Sequence, residues 1–180
     1  MKKFILKQKT GKRNGFSLLE LLIYLAILSV LVVVIANIFI SLSKSNGQSQ
    51  ARSEVNSSIR FASDLLQQDI KNASVITVPA TPANTQSSTL TLTRNGATII
   101  WDTSAGILRR TENGVTSNVT NVNVLVGTPT FTRIENLNSV FGTTNVAVEV
   151  NMTFFYNSAS PDWAYSDSLQ ITVNSYNAFQ

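Results

Sequence analysis

The chain has 180 residues, 43% of them hydrophobic, and contains neither cysteine nor histidine. That excludes disulfide stapling, thiolate or imidazole metal sites, and Ser-His or Cys-His catalysis. The formal charge of +4 comes from the N-terminus: six of the fourteen basic residues precede Phe16, leaving eight against ten acidic residues, a net −2, from Phe16 onward. A broad phosphate-binding patch on that remainder is not expected, and no direct nucleic-acid partner is predicted.

In chain order, the first segment, residues 1–15, reads as a cytoplasmic leader. It carries Lys2, Lys3, Lys7, Lys9, Lys12 and Arg13 and no acidic residue. Residues 16–42 follow as an apolar run whose one charge is Glu20. As a helix that run is about 40 Å long at 1.5 Å per residue, more than the roughly 30 Å hydrocarbon core, so it is predicted to span a membrane. The lysines before it keep the N-terminus in the cytoplasm and send the remainder across the membrane. A charge at mid-bilayer costs about 2.5–3.5 kcal/mol, less near an interface, and such groups usually pair. Glu20 lies about one helical turn from Phe16 and could also satisfy orphan amides at the helix start. The plainer reading is a side chain that snorkels to the headgroups of a simple anchor.

Gly15 followed by Phe16, with Glu20 five positions into the chain after the glycine and Leu, Ile, Val and Ala thereafter, resembles the cleavage and methylation signature of type IV prepilins and pseudopilins. The resemblance implies cleavage by a prepilin peptidase/N-methyltransferase after Gly15 and N-methylation of Phe16. It gives Glu20 a subunit amine to engage during assembly. It also implies partners: other pilins or pseudopilins through the N-terminal helix, an inner-membrane assembly platform, and the membrane itself. Gly11 is no rival, because Lys12-Arg13 follows it. Major pilins commonly carry helix-weakening glycine and proline in the apolar helix, and this chain has neither between Phe16 and Gly47. That departure favours a minor subunit of a single-pass inner-membrane system.

Residues 43–73 are predicted to continue the helix as an amphipathic segment, with at most a bend at Gly47 and an end near Asn72. Val55, Ile59, Ala62, Leu66, Ile70 and Ala73 form one apolar stripe widened by Leu65, while charged residues including Asp64 and Asp69 are assigned mostly to other faces. Residues 74–180 read as an extracytoplasmic antiparallel β domain. Pro79–Ser88 is a polar, proline-marked surface loop. Leu90 and Leu92 lead into an Asn95-Gly96 hairpin turn with Thr98–Trp101 returning, and further turns fall at Ser104–Gly106 and Glu112–Gly114. Val119, Val122, Val124 and Val126 form a strand-like run; Val146–Met152 and Leu169–Val173 alternate as half-buried strands.

The fold class is therefore α+β, one long helix whose stripe covers a sheet. The helix pattern around Asp64–Ile70 and the Ile99–Arg110 hairpin resemble the J-type minor pseudopilins of type II secretion and related minor pilins of type IV pili. Trp163 and Tyr165, in a predicted loop over Asn157–Ser168, are expected to tuck onto the sheet edge; the other reading is a contact for a subunit or ligand. Asp162 and Asp167 beside them lack the spacing of a calcium loop, and no metal or other cofactor is expected. Arg109 and Arg110 read as solvated. Glu112, Glu135 and Glu149 are separate in sequence and no catalytic constellation emerges, so an enzyme is not expected. Two function classes stand: a structural subunit that initiates or caps a type IV pilus or secretion pseudopilus, and a bitopic surface protein whose β domain binds a ligand.

Overall fold

The computed structural model describes residues 17–138 and 143–179. The chain forms two compact units, Met1–Ser43 and Lys44–Gln180. Helix α1, Leu18–Lys71, starts in the first and ends in the second. Within the first unit every described residue is exposed, including large apolar side chains such as Leu22, Leu25, Val32 and Phe39. The helix is long and apolar enough to cross a membrane by length and composition. Its polar interruption at Ser29 is handled locally, since the hydroxyl donates to the Ala26 carbonyl at 2.8 Å and presents no bare donor.

In the second unit the helix runs unbroken through Ser45–Gln48. It ends at Lys71, where the Asn72 side chain donates to the Gln68 carbonyl at 2.8 Å and covers a C-terminal acceptor. The predicted stripe is the buried face: Val55, Ala62, Leu66 and Ile70 are fully covered, and Ile59 and Leu65 pack beside them.

After the helix come β1 (Val75–Val78), β2 (Gln86–Ser87), β3 (Leu90–Arg94), β4 (Ala97–Ser104), β5 (Ile107–Glu112), β6 (Val115–Asn118), β7 (Val124–Val126), β8 (Thr130–Asn138), β9 (Thr143–Tyr156) and β10 (Ser166–Phe179). Where one sheet was expected there are two among the described residues. The first has the order β1-β3-β4-β5-β6; the second has the order β10-β9-β8-β2, with β7 also paired to β9. All pairings are antiparallel.

The β3–β6 meander is folded by three two-residue turns. At Asn95-Gly96 φ is 50° and 79°, the left-handed pair that a hairpin needs to match strand twist and that Asn and Gly adopt at little cost. These turns fix the register, setting Trp101 opposite Leu90 on one side and Arg110 on the other. Leu92, Ile99, Trp101 and Leu108 thereby share a buried face, which joins Phe131, Val148, Val150 and Phe154 of the second sheet and the helix stripe in one core.

Two stretches differ from expectation. The valine run is a strand only over Val124–Val126, and Val122 is 67% exposed. The Asn121 side chain accepts the amides of Asn123 and Val124, Thr120 Oγ1 accepts the Leu108 amide, and the Val119 amide donates to the Leu108 carbonyl, so single side-chain and backbone contacts hold this stretch instead of a ladder. The Pro79–Ser88 loop contains β2, paired with Phe131 and Thr132. Beside it Arg133, only 1% exposed, donates to the carbonyls of Ile76 and Pro79 and pairs with Glu135.

Candidate functional site

Gly15 and Phe16, the predicted cleavage and methylation residues, lie outside the described residues. The described part of the motif opens at Ser17, whose carbonyl accepts the Leu21 amide at 3.1 Å as the first turn of α1 closes. Glu20 is the third helical residue. Its carboxylate is exposed there, near the helix end where unpaired backbone N–H groups and the dipole favour negative charge. Tyr24, one turn further on, donates its hydroxyl to Glu20 Oε1 at 3.3 Å. The sequence reading missed that contact. Its signal was the spacing of four, which stacks two helical side chains on one face.

This geometry holds an acceptor at the start of a helix whose surroundings are Leu, Ile and Val. A tyrosine hydroxyl supplies one donor but no charge, so the carboxylate retains acceptor capacity for a cation. An amine brought to the same level would gain a charge-assisted hydrogen bond.

Several titratable groups of the β domain are engaged by partners within the fold. Asp69, assigned to an outer face by periodicity, is instead 1% exposed. It accepts Arg94 Nη1 at 2.8 Å, Arg110 Nε at 2.7 Å and Nη2 at 3.1 Å, and Trp101 Nε1 at 3.0 Å. Arg110 is therefore no solvated side chain: it points with Trp101 toward the helix and also donates to Glu112 at 2.7 Å. Arg94 completes the group with a 3.3 Å contact to Glu112. The hydrogen bonds to Asp69 and then Glu112 raise the Arg110 pKa against the opposing effect of its burial. The Arg110 hydrogen bond and charge, with Arg94 behind them, hold the Glu112 carboxyl below its ordinary value. Arg109 sits opposite Asp102 across the β4–β5 pair and binds it in a two-pronged contact at 2.9 and 2.8 Å, which raises its pKa.

Glu112, Glu135 and Glu149 are not brought together as a catalytic group. Glu112 and Glu135 pair with the arginines named above, and Glu149 accepts the side-chain amides of Asn151 and Gln170. Asp162 pairs with Lys44, and Asp167 accepts the Ser168 amide. Among the described residues there is no group of three or more acidic side chains that could hold a metal.

Residues 10–36 match the family described as the prokaryotic N-terminal methylation motif, a span that contains Gly15, Phe16 and Glu20. No curated protein and no solved structure matches the chain. The motif supports the type IV pilin and pseudopilin family, whose members are structural subunits, and the chain has the corresponding architecture of a long apolar N-terminal helix and antiparallel β-sheets.

Proposed function

We propose that this protein is a minor pilin or pseudopilin, a filament subunit processed at its own N-terminus that helps to initiate or cap a type IV pilus or a type II secretion pseudopilus. The observation that carries the proposal is the methylation-motif match over residues 10–36, with Glu20 in the first turn of an exposed apolar helix. In this reading the peptidase cuts after Gly15 on the cytoplasmic face and methylates Phe16. The span over 16–42 holds the subunit in the inner membrane, its β domain on the far side, until neighbouring helices replace lipid around it. Glu20 then pairs with the terminal amine of an adjacent subunit, which offsets the cost of a carboxylate in an apolar setting. The absence of glycine and proline between Phe16 and Gly47 supports the minor role, and the helix pattern around Asp64–Ile70 with the Ile99–Arg110 hairpin supports the J-type minor pseudopilins or related minor pilins as the proposed subtype.

The processing step is tested directly by Gly15→Ala. A side chain at the residue before the cut blocks the peptidase, so the variant accumulates as full-length precursor and is absent from assembled filaments. A Gly15→Ala protein that runs at mature size and assembles normally would sink the proposal.

A further inference from the structure

The connection between β9 and β10 is seated on the helix. Asp162 lies 3.1 Å from Lys44, the Trp163 indole stands against Gly47, and Arg52 lies 5.6 Å above the Tyr165 ring. These three contacts advance in parallel along the loop and the helix, so the loop forms a strap: Trp163 is seated on the helix instead of the predicted sheet edge, whereas Tyr165 does pack on the sheet, its carbonyl accepting the Tyr156 amide. Gly47 makes the seat: a Cβ there would come within 2.2 Å of Trp163 Nε1, so only glycine admits the ring. The ring is nevertheless 38% exposed.

Lys44 is the first charge after the apolar run, two residues beyond Leu42. Two residues of chain reach no more than about 7 Å, whatever their conformation. The headgroup zone on each side of a roughly 30 Å hydrocarbon core is about 5–7 Å deep. The strap is bound to Lys44, and so lies within or at the edge of that zone when the run spans a membrane. Its side chains suit the place. Trp and Tyr concentrate at membrane interfaces, where one part of the ring meets hydrocarbon and its polar atom meets water. Asp162 is neutralised by its contact with Lys44, so the strap brings no bare carboxylate to the headgroups.

From these placements we infer that the β9–β10 strap is a lipid-contacting element: before assembly, Trp163 rests at the headgroup region and docks the strap on the membrane surface. The inference rests on the membrane-spanning reading of residues 16–42, and its test separates the two.

The full chain is reconstituted in phosphatidylethanolamine–phosphatidylglycerol vesicles whose acyl chains carry bromine at either shallow or deep positions. The chain has two tryptophans, and Trp101 is fully buried in the β domain, so Trp163 is the one within reach of lipid. Shallow bromines should quench part of the emission more than deep ones, and Trp163→Phe should abolish that quenched part. Gly47→Ala should weaken the quenching by displacing the ring. A chain that floats with the vesicles yet shows no shallow quenching, or equal quenching in the Trp163→Phe variant, would overturn the inference and leave the span intact. Unchanged quenching in Gly47→Ala would overturn the seating of the ring. A chain that does not float with vesicles would overturn the membrane reading and the inference together.

Discussion

Replacing Asp69 by alanine should destabilise the β domain more than a change at any surface charge. The carboxylate is 1% exposed and accepts four contacts from Arg94, Arg110 and Trp101. Removing one partner of a buried ionic group typically costs about 3–5 kcal/mol, because the charges left behind stay poorly solvated. Here the Arg94 and Arg110 side chains keep 21% and 13% exposure and retain Glu112, which places the expectation at the lower end, about 3 kcal/mol. At roughly 3 °C per kcal/mol for a domain of this size, the midpoint of thermal unfolding should fall by about 10 °C. The assay is unfolding of the full chain in detergent, followed by tryptophan emission. Trp101 reports the site itself, since its Nε1 donates to Asp69. Asp69→Asn, which keeps a carbonyl acceptor and loses the charge, should cost about half as much. An alanine variant within about 1 kcal/mol of the parent would refute the reasoning, since that is the range of an exposed pair.

Two other predictions concern charge. Glu20→Leu should be cleaved and inserted normally, because the substitution only raises the hydropathy of the span, yet incorporation into filaments should drop sharply; normal incorporation by immunoblot of sheared filaments would count against a pairing role for Glu20. Glu112 titrates below its ordinary value of 4.5 in the folded chain. The unfolded chain therefore binds the proton first, so this contribution is full above pH 4.5 and is lost as pH falls through the folded value. Unfolding midpoints measured from pH 7 downward should fall less steeply below pH 4.5 in Glu112→Gln than in the parent, and parallel profiles would contradict the assignment.

The helix and the hairpins were legible because their signals are local. Val55, Ala62, Leu66 and Ile70 recur at spacings of four and three, and Asn95-Gly96 carries the backbone geometry of its turn in its own side chains. Asp69 was not legible. Periodicity can show that a carboxylate borders an apolar stripe, but its partners lie 25 to 41 positions away, and only the strand register brings Arg94, Trp101 and Arg110 to it. The same limit applies to the second sheet and to Trp163, whose seat at Gly47 is set by a contact across more than a hundred residues. Gly47 read as a weak point in a helix; its function in the fold is to leave room for an indole. Of the candidate site, the spacing of Gly15, Phe16 and Glu20 was readable from the sequence, whereas the Tyr24 contact needed the helix to be in place.

The central claim is that the chain is cut after Gly15 and begins, in the cell, at Phe16. Mass spectrometry of the N-terminal peptide from membranes or sheared filaments tests it most directly. The account predicts a peptide that starts at Phe16 with a single methyl group on its amine, and no signal from the lysine-rich leader. A peptide that retains residues 1–15 joined to Phe16 would contradict it and leave α1 as the anchor of a bitopic surface protein.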